Sequence, residues 1–178
     1  MHRKRLEWKM IFGSGSDAMS EEVEGKISGG RSLAKGLLAG LIGGLAGTVA
    51  KTVAEKFYPP RVEGQPEPPA VLAEGMAGGG LTATQEAVAA EGIHWLFGAA
   101  AGAAYGGLVE YYPAASSKEG ASFGIALATL THEGALPALG LSADPNDQTP
   151  REHTSEMTSH IAYGVVTEIV RSFVRKML

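Results

Sequence analysis

Glycine recurs at every fourth residue in two apolar runs of this chain. Gly36, Gly40 and Gly44 repeat in the run from 36 to 50, with Gly43 and Gly47 beside them, and Gly98, Gly102 and Gly106 repeat in the run from 92 to 112. A helix in water forfeits about 1 kcal/mol for each Gly in place of Ala, so this density calls for an environment that offsets it. Small residues four apart let helix backbones approach closely, which is how helices associate inside a bilayer. The spacing predicts two helices packed through facing glycine rows, a glycine zipper. A phosphate-cradling loop fits poorly, because Gly40, Gly43 and Gly44 lack a preceding strand and the Gly-Lys-Ser/Thr ending.

Four apolar segments, at about 32–58, 92–112, 120–141 and 155–173, predict an all-α, antiparallel four-helix transmembrane bundle, with the lipid bilayer as its first partner. The uncharged core of the first is short for a span, so Lys35 and Lys51 must reach towards the interfaces. Tyr58-Pro59-Pro60-Arg61 ends it, since proline lacks a donor and restricts the residue before it. A loop rich in Pro and Glu follows, then short amphipathic helices within 71–91, broken at Gly78 to Gly80 and lying on the membrane surface. Residues 1–31 read as a flexible cytoplasmic tail. Eleven of the fifteen Lys and Arg fall in the N-terminal stretch through Lys35, the Lys118 loop and the C-terminal end, which predicts that both termini are cytoplasmic.

The net charge is −4 and no basic-aromatic pattern appears, which argues against nucleic acid as a partner. With no cysteine, disulfides and thiolate chemistry are excluded, and any metal must be held by His and carboxylates.

Ionisable residues placed in such segments are the candidate site. His132 and Glu133 lie about midway along the third, while His153, Glu156 and His160 stand at the entrance of the fourth, Glu156 and His160 one helical turn apart. A charged side chain at bilayer depth costs a few kcal/mol, so a retained one faces the bundle interior and has a partner. Antiparallel third and fourth segments bring His132, Glu133, Glu156 and His160 towards one another. Two imidazoles and two carboxylates suit a divalent metal such as zinc, manganese or iron, and the same set suits a proton relay. It equally suits polar pairs that fix helix register, with Glu152 to Glu156 as a solvated helix start capped by Thr154 or Ser155. His94, next to Trp95, reads as an interface anchor. No cofactor other than a divalent metal is expected, and no catalytic residue is assigned. A nucleophile elbow, an H-E-x-x-H pair and a dinucleotide fingerprint are all missing.

Several groups of residues together resemble the YagU-like bacterial inner-membrane family. They are Tyr58-Pro59-Pro60-Arg61, Val109-Glu110-Tyr111-Tyr112-Pro113, His132 with Pro137, Gly140 and Leu141, and Glu152-His153-x-Ser155-Glu156-x-x-x-His160 with Glu168 and Arg171. The resemblance covers most of the chain after about residue 32. It implies a small multi-pass inner-membrane protein of a family without an established activity.

The expectation is a non-enzymatic inner-membrane protein whose His/Glu cluster handles protons or a cation, in pH or envelope homeostasis. One alternative is a structural or assembly subunit that packs through its glycine rows against itself or a larger membrane complex. The other is a soluble Ala/Gly-rich helical protein.

Overall fold

In the computed structural model, residues 30–61 and 65–178 are described, and among them the chain is all-helical with no strand. The expected tail, apart from its last two residues, lies outside them. Five helices carry the fold: α1 (Leu33–Phe57), α2 (Pro68–Ala77), α3 (Ala83–Tyr111), α4 (Ala121–Leu130) and α5 (Pro150–Met177). Beyond α4 the chain makes a π-helical turn, Thr131–Ala135, and one further turn, Leu136–Ala138. Residues 33–178 form one compact unit.

Local chemistry sets the helix limits. α1 runs into Pro59 and Pro60, and α2 starts on Pro68 and Pro69, where a missing N–H costs nothing. It ends at Gly78, whose φ of 72° lets its N–H turn back to the last carbonyls. α3 starts on a capping box: Gln85 N donates to Thr82 Oγ1 at 3.3 Å, and Thr82 N donates to Gln85 Oε1 at 3.0 Å. The second apolar segment is thus the C-terminal part of a helix beginning nine residues before it. α5 likewise starts earlier than expected. Thr149 is its cap, accepting from Glu152 N at 3.2 Å, whereas Thr154 bonds back to the Pro150 carbonyl at 2.7 Å and Ser155 donates to the Tyr58 carbonyl.

α1 lies between α3 and α5, antiparallel to both. A Cβ on Gly36 would stand 2.8 Å from the Gly106 carbonyl oxygen, and one on Gly40 or Gly44 would run into the backbone at Gly102 or Gly98. The second row of α1 faces α5, where a Cβ on Gly43 would stand 2.6 Å from the Thr167 carbonyl oxygen. The helices therefore touch backbone to backbone along both faces of α1. α4 packs on α5 in the same way at Gly120, Gly124 and Gly164, and α2 packs on α3. Among the described residues one helix, α1, is long and apolar enough to cross a membrane; at 1.5 Å per residue it spans about 37 Å.

Side chains are distributed in an unusual way. The buried residues of α5 are mostly polar: Ser155, Glu156, Ser159, His160, Tyr163, Thr167 and Arg171. Its Ile169 and Phe173 face outward, as do Leu37, Leu38, Leu41, Ile42 and Leu45 of α1 and Leu96 and Leu108 of α3.

Candidate cation site

The π-helical turn holds the first of the site's residues. Pro137 has no N–H to offer the Glu133 carbonyl, and the chain meets this by widening the preceding turn, so that Leu136 N donates to the Thr131 carbonyl five residues back. Gln148 Nε2 donates to the His132 carbonyl at 3.3 Å and to the Ala143 carbonyl at 3.0 Å, tying the turn to the loop before α5. His132 is thereby turned into the bundle, and Glu133 is turned out of it.

His132 meets Glu156 and His160 on the facing side of α5, and all three are buried. His132 Nε2 is 3.1 Å from Glu156 Oε2, His160 Nδ1 is 3.7 Å from the same oxygen, and the two imidazoles meet edge to face at 4.9 Å between centroids. One ring nitrogen of each histidine and one carboxylate oxygen of Glu156 lie within 4.8 Å of one another. The His160 Nδ1–H donates to the Glu156 carbonyl one turn back at 2.8 Å, the backbone bond that usually orients a metal-binding imidazole.

Glu156 carries the local electrostatics. Arg61 Nη1 donates to its Oε1 at 3.0 Å, while Arg61 Nη2 lies 3.5 Å from Glu152 Oε1. Lys51 Nζ, paired with Glu55 on its own helix, stands 3.5 Å from Oε2. No donor reaches Oε2 in hydrogen-bonding geometry, although it is fully enclosed. A buried carboxylate oxygen without a donor is costly. Here it sits beside two imidazoles, a set of one oxygen and two nitrogens that suits zinc and its neighbours.

Ligand atoms around a tetrahedral zinc at about 2.0–2.1 Å stand roughly 3.3–3.5 Å apart; the 3.1 Å between His132 Nε2 and Glu156 Oε2 is close to this, and His160, its Nδ1–H held by the Glu156 carbonyl, would offer Nε2. Arg61 holds the oxygen that a metal would not use. Lys51 has Glu55 to retain it when a cation takes Oε2.

Of the residues singled out in the sequence, His132, Glu156 and His160 come together, and Glu133 and His153 do not join them. Glu133 Oε1 accepts from His153 Nδ1 at 2.7 Å in a half-exposed pair at the mouth of α5, and the Pro145 carbonyl accepts from His153 Nε2 at 3.0 Å. With both ring nitrogens facing acceptors, the imidazolium is favoured. The Glu133 hydrogen bond first, and then the Pro145 carbonyl, raise the His153 pKa above its usual value.

Lys51, Arg61 and Glu152, expected at a membrane interface, a helix end and a helix start, and Glu55, expected nowhere in particular, gather around Glu156 instead. For Lys51 and Glu55 a signal exists, since the row Gly43, Gly47, Lys51, Glu55 advances by four along the α1 face that meets α5. His94 sits on the wall of the cavity beside the cluster, its Nε2 3.4 Å from Thr52 Oγ1. A second polar node lies nearer the other end. Tyr105 donates to Glu168 Oε2 at 2.8 Å, Arg171 grips both oxygens of Glu168 at 2.7 Å, and Arg175 grips Glu110 at 2.6 and 2.8 Å.

Residues 45–169 match a family model described as a protein of unknown function, DUF1440. The chain belongs to the DUF1440 family. The segment matched to DUF1440 contains Lys51, Arg61, His132, Glu156 and His160, so the whole cluster falls within it. No curated protein and no solved structure matches the chain.

Proposed function

We propose that this DUF1440 protein is a four-span protein of the bacterial inner membrane whose His132–Glu156–His160 cluster holds a divalent transition-metal cation. α1, α3 from about residue 92, α4 with its π turn, and α5 from about residue 155 are the spans, and both termini are cytoplasmic. The observation that carries the cation reading is Glu156 Oε2, enclosed, without a hydrogen-bond donor and faced by two imidazoles. The membrane reading rests on an inside-out arrangement: polar side chains fill the buried face of α5 while leucines, isoleucines and phenylalanines face outward on α1, α3 and α5. In water, so much exposed apolar surface marks an interaction site. Around a bundle whose helices touch through glycine backbones, it fits lipid. The resemblance to YagU-like inner-membrane proteins supports the same placement.

Elemental analysis of detergent-purified protein beside a His132→Ala/His160→Ala variant tests the cation. About one zinc, manganese or iron per wild-type chain, lost in the variant, is expected. Equal metal in both, or none in the wild type, overturns the reading. Retention of the protein in membranes through a carbonate wash tests the placement, and release without detergent overturns it.

A second reading is favoured by the contacts of Arg61 and Lys51 with Glu156. In it the cluster is an ion-paired lock that fixes α1 against α5, and the protein acts as a structural or assembly subunit. That reading expects no metal and an unfolding temperature that falls equally in metal-free and metal-supplemented buffer when His132 is replaced.

A further inference from the structure

The cluster forms only one wall of a cavity of about 290 Å³. The opposite walls are aliphatic and aromatic: Leu72 from α2, Ile93 and Phe97 from α3, Leu127 from α4, and Leu136 and Leu139 from the turn beyond it. A bare cation needs three or four ligands and has no use for such walls. Apolar walls meeting a few convergent polar groups are the signature of a site for an organic molecule.

The metal and the charges beside it set the head of that molecule. Lys51 and Arg61 line the cavity with Glu55, Glu67 and Glu156, and Glu152 stands 3.5 Å from Arg61 Nη2, so acids outnumber bases by two. A divalent cation on Glu156 offsets both, and an anionic head that joins the cation then meets Lys51 and Arg61 beside it. A metal with three protein ligands also keeps a coordination position open, and all three of its residues line the cavity. A second cavity of about 650 Å³ shares Glu55, Arg61, Glu67 and His94 with the first and is lined otherwise by residues such as Thr52, Lys56 and Gln65.

We infer that the cavity binds a single alkyl chain ended by an oxyanion, a fatty carboxylate or an alkyl phosphate. The head sits on the cation held by His132, Glu156 and His160, and the chain lies against Leu72, Phe97, Leu127 and Leu136. This rests on the cation reading above, and adds to it the class of ligand that the metal serves.

Native mass spectrometry of the full-length protein, metal-loaded and chelated, with laurate, dodecyl phosphate and dodecanol as probes, reads metal and ligand separately. The metal-bearing chain is expected to take one laurate or one dodecyl phosphate, at least about tenfold more tightly than the chelated chain, and to take dodecanol no better with metal than without. The tighter of the two acids identifies the head. Leu136→Trp, which fills the cavity, should abolish the acid adduct and leave the metal adduct. Leu72→Trp makes the same test from α2 if the first variant does not fold. A chain that takes metal but no acid, or an acid adduct indifferent to both tryptophans or to chelation, overturns the inference and leaves the cation reading standing. A chain that takes no metal overturns both.

Discussion

Arg61 holds one oxygen of Glu156, donating to Oε1 at 3.0 Å across 95 residues of sequence, and leaves the other to the two histidines. The carboxylate is thus oriented by a loop residue and presented to His132 and His160 by its own helix. Removing it strips the ligand set and also leaves Arg61 and Lys51 short of counter-charge in a buried place. Breaking a buried pair from one side costs about 3–5 kcal/mol. Glu156→Gln, which keeps the shape, is therefore expected to lose the metal and to unfold at lower temperature. Metal content and thermal unfolding in detergent check this, and a variant with wild-type metal content sinks the cation role of Glu156.

The glycine contacts make a sharper comparison. A Cβ at Gly40 meets the backbone at Gly102 and Gly106, which cannot give way without moving α1 from α3. At Gly92, in the exposed first part of α3, nothing lies within 4 Å. Gly40→Leu is expected to disrupt the bundle, seen as aggregation or a lost unfolding transition. Gly92→Ala should instead stabilise by up to about 1 kcal/mol through helix propensity. Equal effects from the two would mean that the α1–α3 contact is not close-packed as described.

The pair between His153 and Glu133 titrates. Its histidine has a raised pKa in the folded protein because the Glu133 carboxylate and the Pro145 carbonyl accept from the charged ring. A raised folded pKa stabilises fully below the unfolded histidine value of about 6.5 and is lost as pH climbs through the folded value. Stability should accordingly decline as pH rises above about 6.5, by a part that Glu133→Gln removes. The pair is about one-third exposed, so that part is small. Unfolding measured against pH for wild type and variant checks it, and identical profiles would show that the pair does not form in solution.

Much of the bundle could be read from glycine spacing, because a repeat of four in a helix marks a face whatever surrounds it. Gly36, Gly40 and Gly44 do face Gly98, Gly102 and Gly106. The site was harder to read. Neighbours in sequence, His132 and Glu133, point to opposite sides only because Pro137 imposes a π turn, and helical periodicity carries no sign of that widening. Arg61 reaches Glu156 from a loop, where no periodicity applies. The start of α5 lies earlier than composition suggests because its polar first turn at Pro150 looks like loop, and the amphipathic stretch before residue 92 is continuous with the apolar segment that follows it. Among the described residues α1 alone is long and apolar enough to cross a membrane, because α4 has 10 residues before its π turn and α3 and α5 carry ionisable residues along their length.

The second polar node offers a test of whether buried charge in this bundle is structural. Glu168 receives Arg171 through two bonds of 2.7 Å and the Tyr105 hydroxyl at 2.8 Å, and no imidazole lies among those partners. Both oxygens are satisfied, unlike Oε2 of Glu156. Glu168→Ala strands the charge of Arg171, a residue only 7 % exposed, and should cost on the order of 3–5 kcal/mol. Adding Arg171→Leu removes the stranded charge, so the double variant should regain most of that loss and keep wild-type metal content. Unfolding of both single variants and the double measures the coupling. A double variant as unstable as Glu168→Ala would place the loss in the Tyr105 bond, and a fall in metal content would tie this node to the cluster at His160 along the same face of α5.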